Sequence, residues 1–325
     1  IHTQKPFDQP KEITVNYPLA DAEEEEENTY LSYNVVVGNS LDRTLNLAFM
    51  MLDYALIDVP GAPIKKALVD AGISNDVFSS YDDGILQPVY SIIAKGCKQT
   101  DKERFVEIVE KTLQDLVQNG FEKKVLEAAL NHFEFKLKEA NYGRFPKGLM
   151  YGLSAFTSWL YDDQEAFMYL KYDDNFAYLK EQIGTDYYEQ ILKQYLLTNN
   201  HKTIVTGVPQ RGLNRQNEAE LAQKLKEYKD SLSKEQVQAL IEQTEELARY
   251  QSEPSSQKEL ASIPLLQLSD IDSKAFHIKN REWKAAGIPV VSHDIFTNGI
   301  AYIGYYFMLD HVPVALLPYV SLLTA

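Results

Sequence analysis

The stretch TYLSYNVVVGNSLDRTLNLAFMMLDYALI, residues 29–57, decides the fold. Its first part, Thr29 to Val37, is dominated by Tyr, Val and Leu, side chains that suit a pleated, half-buried strand. Gly38-Asn39-Ser40 then interrupts the run with three turn-forming residues. From Leu41 to Ile57 the apolar positions Leu45, Ala48, Leu52 and Ala55 recur at helical spacing, which predicts a helix with one buried stripe.

Working outward, Val59-Pro60-Gly61 stops that helix, and Pro63 to Ala71 reads as a shorter one ending at Gly72. Val77 to Tyr81 and Pro88 to Ala94 are two strands turned at Asp82-Asp83-Gly84. Thr100 and Glu103 carry the spacing of a capping box, opening a helix with Phe105, Val109, Leu113 and Leu116 on one face and Asn119-Gly120 at its end. A further helix from Glu122 places Leu126, Leu130, Phe133 and Leu137 on one stripe. Leu149 to Tyr161 and Tyr187 to Leu197 also read as helical, and Thr203 to Val208 as a strand halted by Pro209. Upstream, Ile1 to Tyr17 is extended and marked by prolines, and Asp21 to Glu27 is an acidic, solvated loop. This order predicts an α+β domain, helices layered on a mostly antiparallel sheet.

After Gln210 the chain becomes charged and helical. Leu221, Leu225 and Tyr228 share one face; Val237, Leu240, Ile241, Thr244 and Leu247 share another; Ser233 and Gln236 form a second capping-box spacing. Two helices joined by a short turn make a helical hairpin. Ser252 to Ser262 loosens into serines and Pro254. Further on, Val290 to Phe296 and Ile300 to Met308 flank Asn298-Gly299, a hairpin signal. Pro313 to Ala325 reads as the first turns of a helix. Tyr33 to Leu52 and Tyr302 to Leu323 share an element order, which suggests a second copy of the domain, begun and truncated. The expected divisions are residues 1–210, an α+β domain; 211–262, a helical hairpin linker; and 263–325, the start of the next α+β unit.

Composition narrows the function. A net charge of −15, from 47 acidic against 32 basic residues, opposes binding to nucleic acid and to anionic membranes. One cysteine among 325 residues allows no internal disulfide and fits a reducing, cytoplasmic setting. No stretch reads as a bilayer span.

The chemistry is defined by what is missing. None of the histidines His2, His132, His201, His277, His293 and His311 has another three or four residues away, so no helix turns two imidazoles toward one metal. His132-Phe133-Glu134 comes nearest, but helix positions two apart diverge, and an exposed helix histidine is the simpler reading. His293 and Asp294 face opposite ways on a strand, and Cys97 has no identifiable histidine partner. The Tyr142-Gly143-Arg144-Phe145-Pro146 connection could touch a peptide but reads as a structural loop, and Glu23 to Glu27 is no calcium loop. No phosphate-binding, dinucleotide or nucleophile-elbow motif is present. No catalytic, cofactor-binding or metal residue is therefore assigned.

Several segments carry a family likeness: Ile263-Pro264-Leu265-Leu266, Leu268-Ser269-Asp270-Ile271-Asp272, His293-Asp294-Ile295-Phe296-Thr297-Asn298-Gly299-Ile300 and Leu316-Leu317-Pro318-Tyr319. Together with Ala62 to Leu68 and Glu134 to Glu139, they resemble zinc metallopeptidases of the pitrilysin–insulinase superfamily, closest to the presequence-protease branch. The resemblance implies a four-domain clamshell around a peptide-sized chamber. Zinc is then expected in the missing amino-terminal domain and substrate-gripping Arg and Tyr in the last domain. This chain would hold the second, zinc-free domain, the hairpin and the start of the third, and would be inactive alone. The implied partners are the parent's remaining domains and unfolded peptides as substrate. A standalone inactive scaffold or peptide-binding subunit is the alternative. An unpaired edge at Ile300 to Met308 would favour a homodimer.

Overall fold

A computed structural model describes residues 2–20, 22–275 and 277–323. Over these residues the chain forms two compact units, 2–134 with 141–275, and 135–140 with 277–323.

The first unit is built on five strands: β1 (Lys11–Leu19), β2 (Thr29–Val36), β3 (Asp76–Asp82), β4 (Val89–Cys97) and β5 (Lys202–Arg211). Their order across the sheet is β1-β5-β2-β4-β3, with β2 in the middle. β1 runs parallel to β5 and every other pair is antiparallel. Alternation sets the two faces. Leu31, Tyr33 and Val35 are wholly buried on one side of β2, while Ser32, Asn34 and Val36 on the other remain partly exposed.

Helices cover the buried face. α1 (Arg43–Asp53) continues into a π-type turn, Tyr54–Asp58, and α2 (Pro63–Asp70) follows. Then come α3 (Lys102–Asn119), α4 (Lys123–Glu139), α5 (Lys147–Trp159), α6 (Asp173–Glu181) and α7 (Tyr187–Ile191), the last extended by a π-type stretch, Leu192–Leu197. The run Arg43–Asp70 proves long and apolar enough to cross a membrane. In this fold its apolar side chains form the core, and Val59-Pro60-Gly61 separates two helices within it.

Three local expectations are corrected. The Thr100–Glu103 box does not form: residues Gln99–Asp101 make a 3₁₀ turn, Asp101 sits at the cap without a side-chain bond, and Glu103 contacts Lys102 instead. Pro209 does not halt β5, because β2 pairs with β5 only as far as Gly207. Beyond it Pro209 has β1 as its only neighbour, opposite Tyr17, and no antiparallel bond is lost. The amino-terminal segment, expected to be extended, forms the edge strand β1 from Lys11 onward. The hairpin is misplaced too. Asn298 and Gly299 do take left-handed φ values of 53° and 81°, closing a turn, yet the flanking residues do not pair. Ile300 to Met308 form no strand, so the edge expected there for dimerisation is not formed. In the second unit the hairpin is β6 (Asn280–Ala285) with β7 (Ile288–His293), turned at Ala286-Gly287.

The Ser233–Gln236 capping box is present, opening α9 (Lys234–Ser252) after α8 (Leu213–Ser231). Within the expected terminal segment Leu317–Leu323 is helical; its last two positions, and Asp21 of the acidic loop, lie outside the described residues.

Two polar groups are buried at the sheet margin. Lys202 meets Glu110 at 3.0 Å and lies 4.6 Å over the Tyr33 ring, joining β5, α3 and β2. Tyr33 donates to the Leu196 carbonyl at 2.8 Å. His201 is buried with its ring edge-on to Phe7 at 4.7 Å, and burial and then the nearby Lys11 push its pKa below the usual value. The unfolded state therefore takes up a proton that the folded state resists. Stability is fully present above the ordinary histidine pKa, about 6.5, and falls as pH drops below it, by at most about 1.4 kcal/mol per pH unit. We expect His201→Gln to remove this component. Urea melts from pH 8 to pH 5 should show the gap between parent and variant changing below pH 6.5; parallel profiles would refute the assignment.

Candidate functional site

Two features of the first unit are candidates: helix α1 with the polar cluster at its start, and the open face of the sheet. The chain passes from β2 to α1 through Gly38 to Asp42. Asp42 caps the helix, accepting from the Leu45 amide at 2.9 Å. Asn46 donates to the Asp42 carbonyl at 2.8 Å and to those of Asn39 and Ser40 at 3.3 Å, and accepts from the Tyr81 hydroxyl. Tyr169 donates to the Ser40 carbonyl at 2.9 Å, while its ring lies 4.4 Å from the Arg43 guanidinium carbon. Asp83 faces the same arginine; burial raises the Asp83 pKa and Arg43 partly offsets that rise. These contacts join three separate segments and hold the strand-to-helix handover in place. Asn46, Asp42 and Tyr169 spend their polar atoms on backbone and on one another, while Arg43 Nε and Ser40 Oγ are buried without a hydrogen-bond partner.

α1 itself reads RTLNLAFMMLD, with Asp53 as its one carboxylate and no imidazole. Burial raises the Asp53 pKa, and hydroxyls of Ser79 and Tyr90 oppose the rise. Zinc requires about three convergent nitrogen, sulfur or oxygen ligands. Among the described residues no group of three His, Cys, Asp or Glu side chains is placed to hold a metal. The donors present thus do not fit zinc, and no step of catalysis is derived through it.

The other residues singled out by sequence lie apart. His132 is exposed on α4 and stacks on Tyr54 at 4.9 Å and 14°. His293 Nδ1 shares a hydrogen bond with Asn280 Oδ1 at 2.8 Å, pinning the end of the β6–β7 pair. Cys97 is buried, and that burial pushes its thiol up to about 12, so it is not a ready nucleophile. Gly143 donates to Asn141 Oδ1 at 3.1 Å, and Tyr142 meets Tyr151 edge-on at 6.1 Å, an ordered connection into α5. The acidic run is exposed but tied down over its later residues, by Lys98 to Glu27 at 3.4 Å and by the Arg211 amide to Glu25 at 3.3 Å.

The open sheet face is the surface that sequence reasoning missed. Register aligns Ile13, Val205, Ser32, Ile93 and Phe78 in one row across all five strands. The next row is Lys11, Thr203, Asn34, Ser91 and Ser80. Aliphatic, aromatic and small hydroxyl groups alternate, with charge confined to the margins. Such a surface offers apolar contact and hydrogen bonding without selecting for charge. The alternation was visible in each strand, but the strand order that assembles the rows was not.

Known proteins resemble this chain along most of its length. The family model described as the peptidase M16 inactive domain matches residues 2–133, and a second, described as associated with subfamily C of the M16 peptidases, matches residues 208–325. Protein HypA of Clostridium perfringens is 37% identical over 323 residues, covering 99% of this chain and 33% of the relative. Presequence protease 1, chloroplastic/mitochondrial, of Arabidopsis thaliana is 30% identical over 328 residues, covering 99% of this chain and 30% of that protein. The chain thus spans about a third of the length of the curated relatives it matches. The crystal structure of a peptidase M16 inactive domain from Pseudomonas fluorescens is 13% identical, with a TM-score of 0.44 over 65% of this chain and 46% of that one.

Proposed function

We propose, from the premise that this chain belongs to the peptidase M16 family and carries its inactive domain, that it forms a non-catalytic part of a zinc metalloendopeptidase. Its role is to supply wall and hinge to a peptide-sized chamber, with the open sheet face as the wall. The observation that carries this reading is α1: the family resemblance sets the zinc-bearing helix of an active peptidase domain in this place in the element order, and here the helix holds no His or Glu and its side chains pack, Asn46 bonding the Asp42 carbonyl and Arg43 lying against the Tyr169 ring. The mixed apolar and hydroxyl rows of the sheet suit extended peptides of varied sequence. Zinc and the reacting groups then come from other domains of the longer polypeptide, and unfolded peptides are the substrate.

The test is peptidase activity with added zinc, measured on the chain alone and after mixing with the flanking domains of its parent. Activity is expected only in the mixture. Turnover by the chain alone would overturn the proposal. Binding of the flanking domains without activity would favour an inactive scaffold subunit instead.

A further inference from the structure

The sequence holds two Asn-Gly pairs, Asn119-Gly120 and Asn298-Gly299, and the fold treats them differently. Glycine has no Cβ to shield its amide nitrogen, so that nitrogen can reach the side-chain carbonyl of a preceding asparagine. At the end of α3 it is occupied: the Gly120 amide donates to the Leu116 carbonyl at 2.8 Å, and the next amide, that of Phe121, donates to Glu189 Oε1 at 2.9 Å. At the second pair it is open. Asn298 and Gly299 are exposed at the centre of a turn, with φ values of 53° and 81° as a type I′ turn requires, closed by the Ile300 amide on the Thr297 carbonyl at 3.1 Å. The Gly299 amide donates to no acceptor among the described residues. The Asn298 side chain is engaged on α4 in the same unit, its Nδ2 donating to the Lys138 carbonyl at 3.0 Å. That carbonyl is one of the last of the helix, where no further turn supplies a donor.

We propose that Asn298 is a deamidation site, and that its conversion releases the 298–302 segment from the end of α4. The Gly299 nitrogen bonds to Asn298 Cγ, the Cγ–Nδ2 bond breaks, and ammonia leaves with the proton that Gly299 gives up. The product is a five-membered succinimide. Water then opens the ring at either carbonyl to give aspartate or isoaspartate, with no net oxidation or reduction. Ring closure needs the turn to open and Asn298 to leave Lys138, so the native contact governs the rate. The product inverts that contact. An amide donor becomes a carboxylate facing a carbonyl at the negative end of the α4 dipole. It also stands against the residue next to Glu139, whose carboxylate accepts from the Tyr302 hydroxyl at 3.1 Å. Isoaspartate in addition lengthens the backbone by one atom, which the turn cannot absorb.

The experiment incubates the full chain in mildly alkaline buffer and follows its proteolytic fragments by mass, with enzymatic carboxyl methylation to mark isoaspartate. Conversion at residue 298 is expected to run at least about tenfold faster than at residue 119, the ratio for about 1.4 kcal/mol of difference in local opening. In concentrated urea the two rates should converge, because each asparagine then has the same glycine neighbour and no fold around it. Asn298→Gln, whose longer side chain does not close the five-membered ring, should suppress the reaction at 298. Asn298→Asp, made directly, should speed hydrogen exchange at the amides of 136–140 and 300–302 several-fold and leave those of α1 unchanged. Circular dichroism confirms that each variant is folded. No conversion at 298 in the folded chain, or equal rates at the two pairs before urea is added, would overturn the site. Unaltered exchange in Asn298→Asp would overturn the release from α4.

Discussion

Phe49→Ala is expected to destabilise the first unit by about 3–5 kcal/mol, the range for emptying an aromatic site in a closed core. Phe49 is fully buried on α1 and meets three tyrosines: Tyr81 stacked at 5.7 Å, Tyr195 edge-on at 5.7 Å, and Tyr90 at 6.1 Å. These partners come from β3, β4 and the stretch after α7, so one ring ties α1 to the sheet and to the last helical segment. Collapse into the space is hindered because each neighbour is itself fixed: Tyr81 bonds to Asn46 and Tyr90 is wholly buried. The melting temperature should fall by on the order of 10 °C, and a cycle with Tyr195→Ala should show a coupling of roughly 1 kcal/mol. A loss below about 1.5 kcal/mol in urea melts would mean that α1 is not the core element described here. The functional point is direct. On this helix the residues buried deepest hold the fold together.

How much of this was legible in sequence depends on the range of the interaction. β2, α1, α3 and the Ser233 cap follow from periodicity and local capping, which involve residues a few positions apart. The absence of a histidine pair at metal-binding spacing was equally local. The cluster around Arg43 was not legible, because Tyr81 and Tyr169 are far away in sequence and reach it only after the sheet and the later helices are placed. β1 escaped for a related reason. Nearly all its residues are exposed, so no burial pattern marks it, and its identity rests on pairing with β5 almost two hundred positions later. At Asn298-Gly299 the turn chemistry was right and the strands were wrong, since a turn fixes only its own φ and ψ. Ala286-Gly287 carries a weaker signal but has pairing residues on both sides.

The same reasoning fixes the expectation for Gly38→Val, the substitution that should do most damage per atom added. Gly38 has φ +70°, a region that costs most residues about 1–2 kcal/mol and a β-branched one more. A Cβ there would also overlap the Leu45 side chain, which is itself buried on α1. The two penalties are separable. Gly38→Ala combined with Leu45→Ala removes the overlap and leaves the backbone strain, so the pair should lose less than the sum of its parts by about 1 kcal/mol. Gly38→Val should lose about 3 kcal/mol or more in denaturant melts, with α1 amides exchanging first, because the strained residue lies at the handover that Asp42 and Asn46 secure. If Gly38→Val stayed within about 1 kcal/mol of the parent, the left-handed turn from β2 into α1 would be wrong. The placement of α1 across the sheet, and with it the claim that this helix packs instead of binding metal, would fall with it.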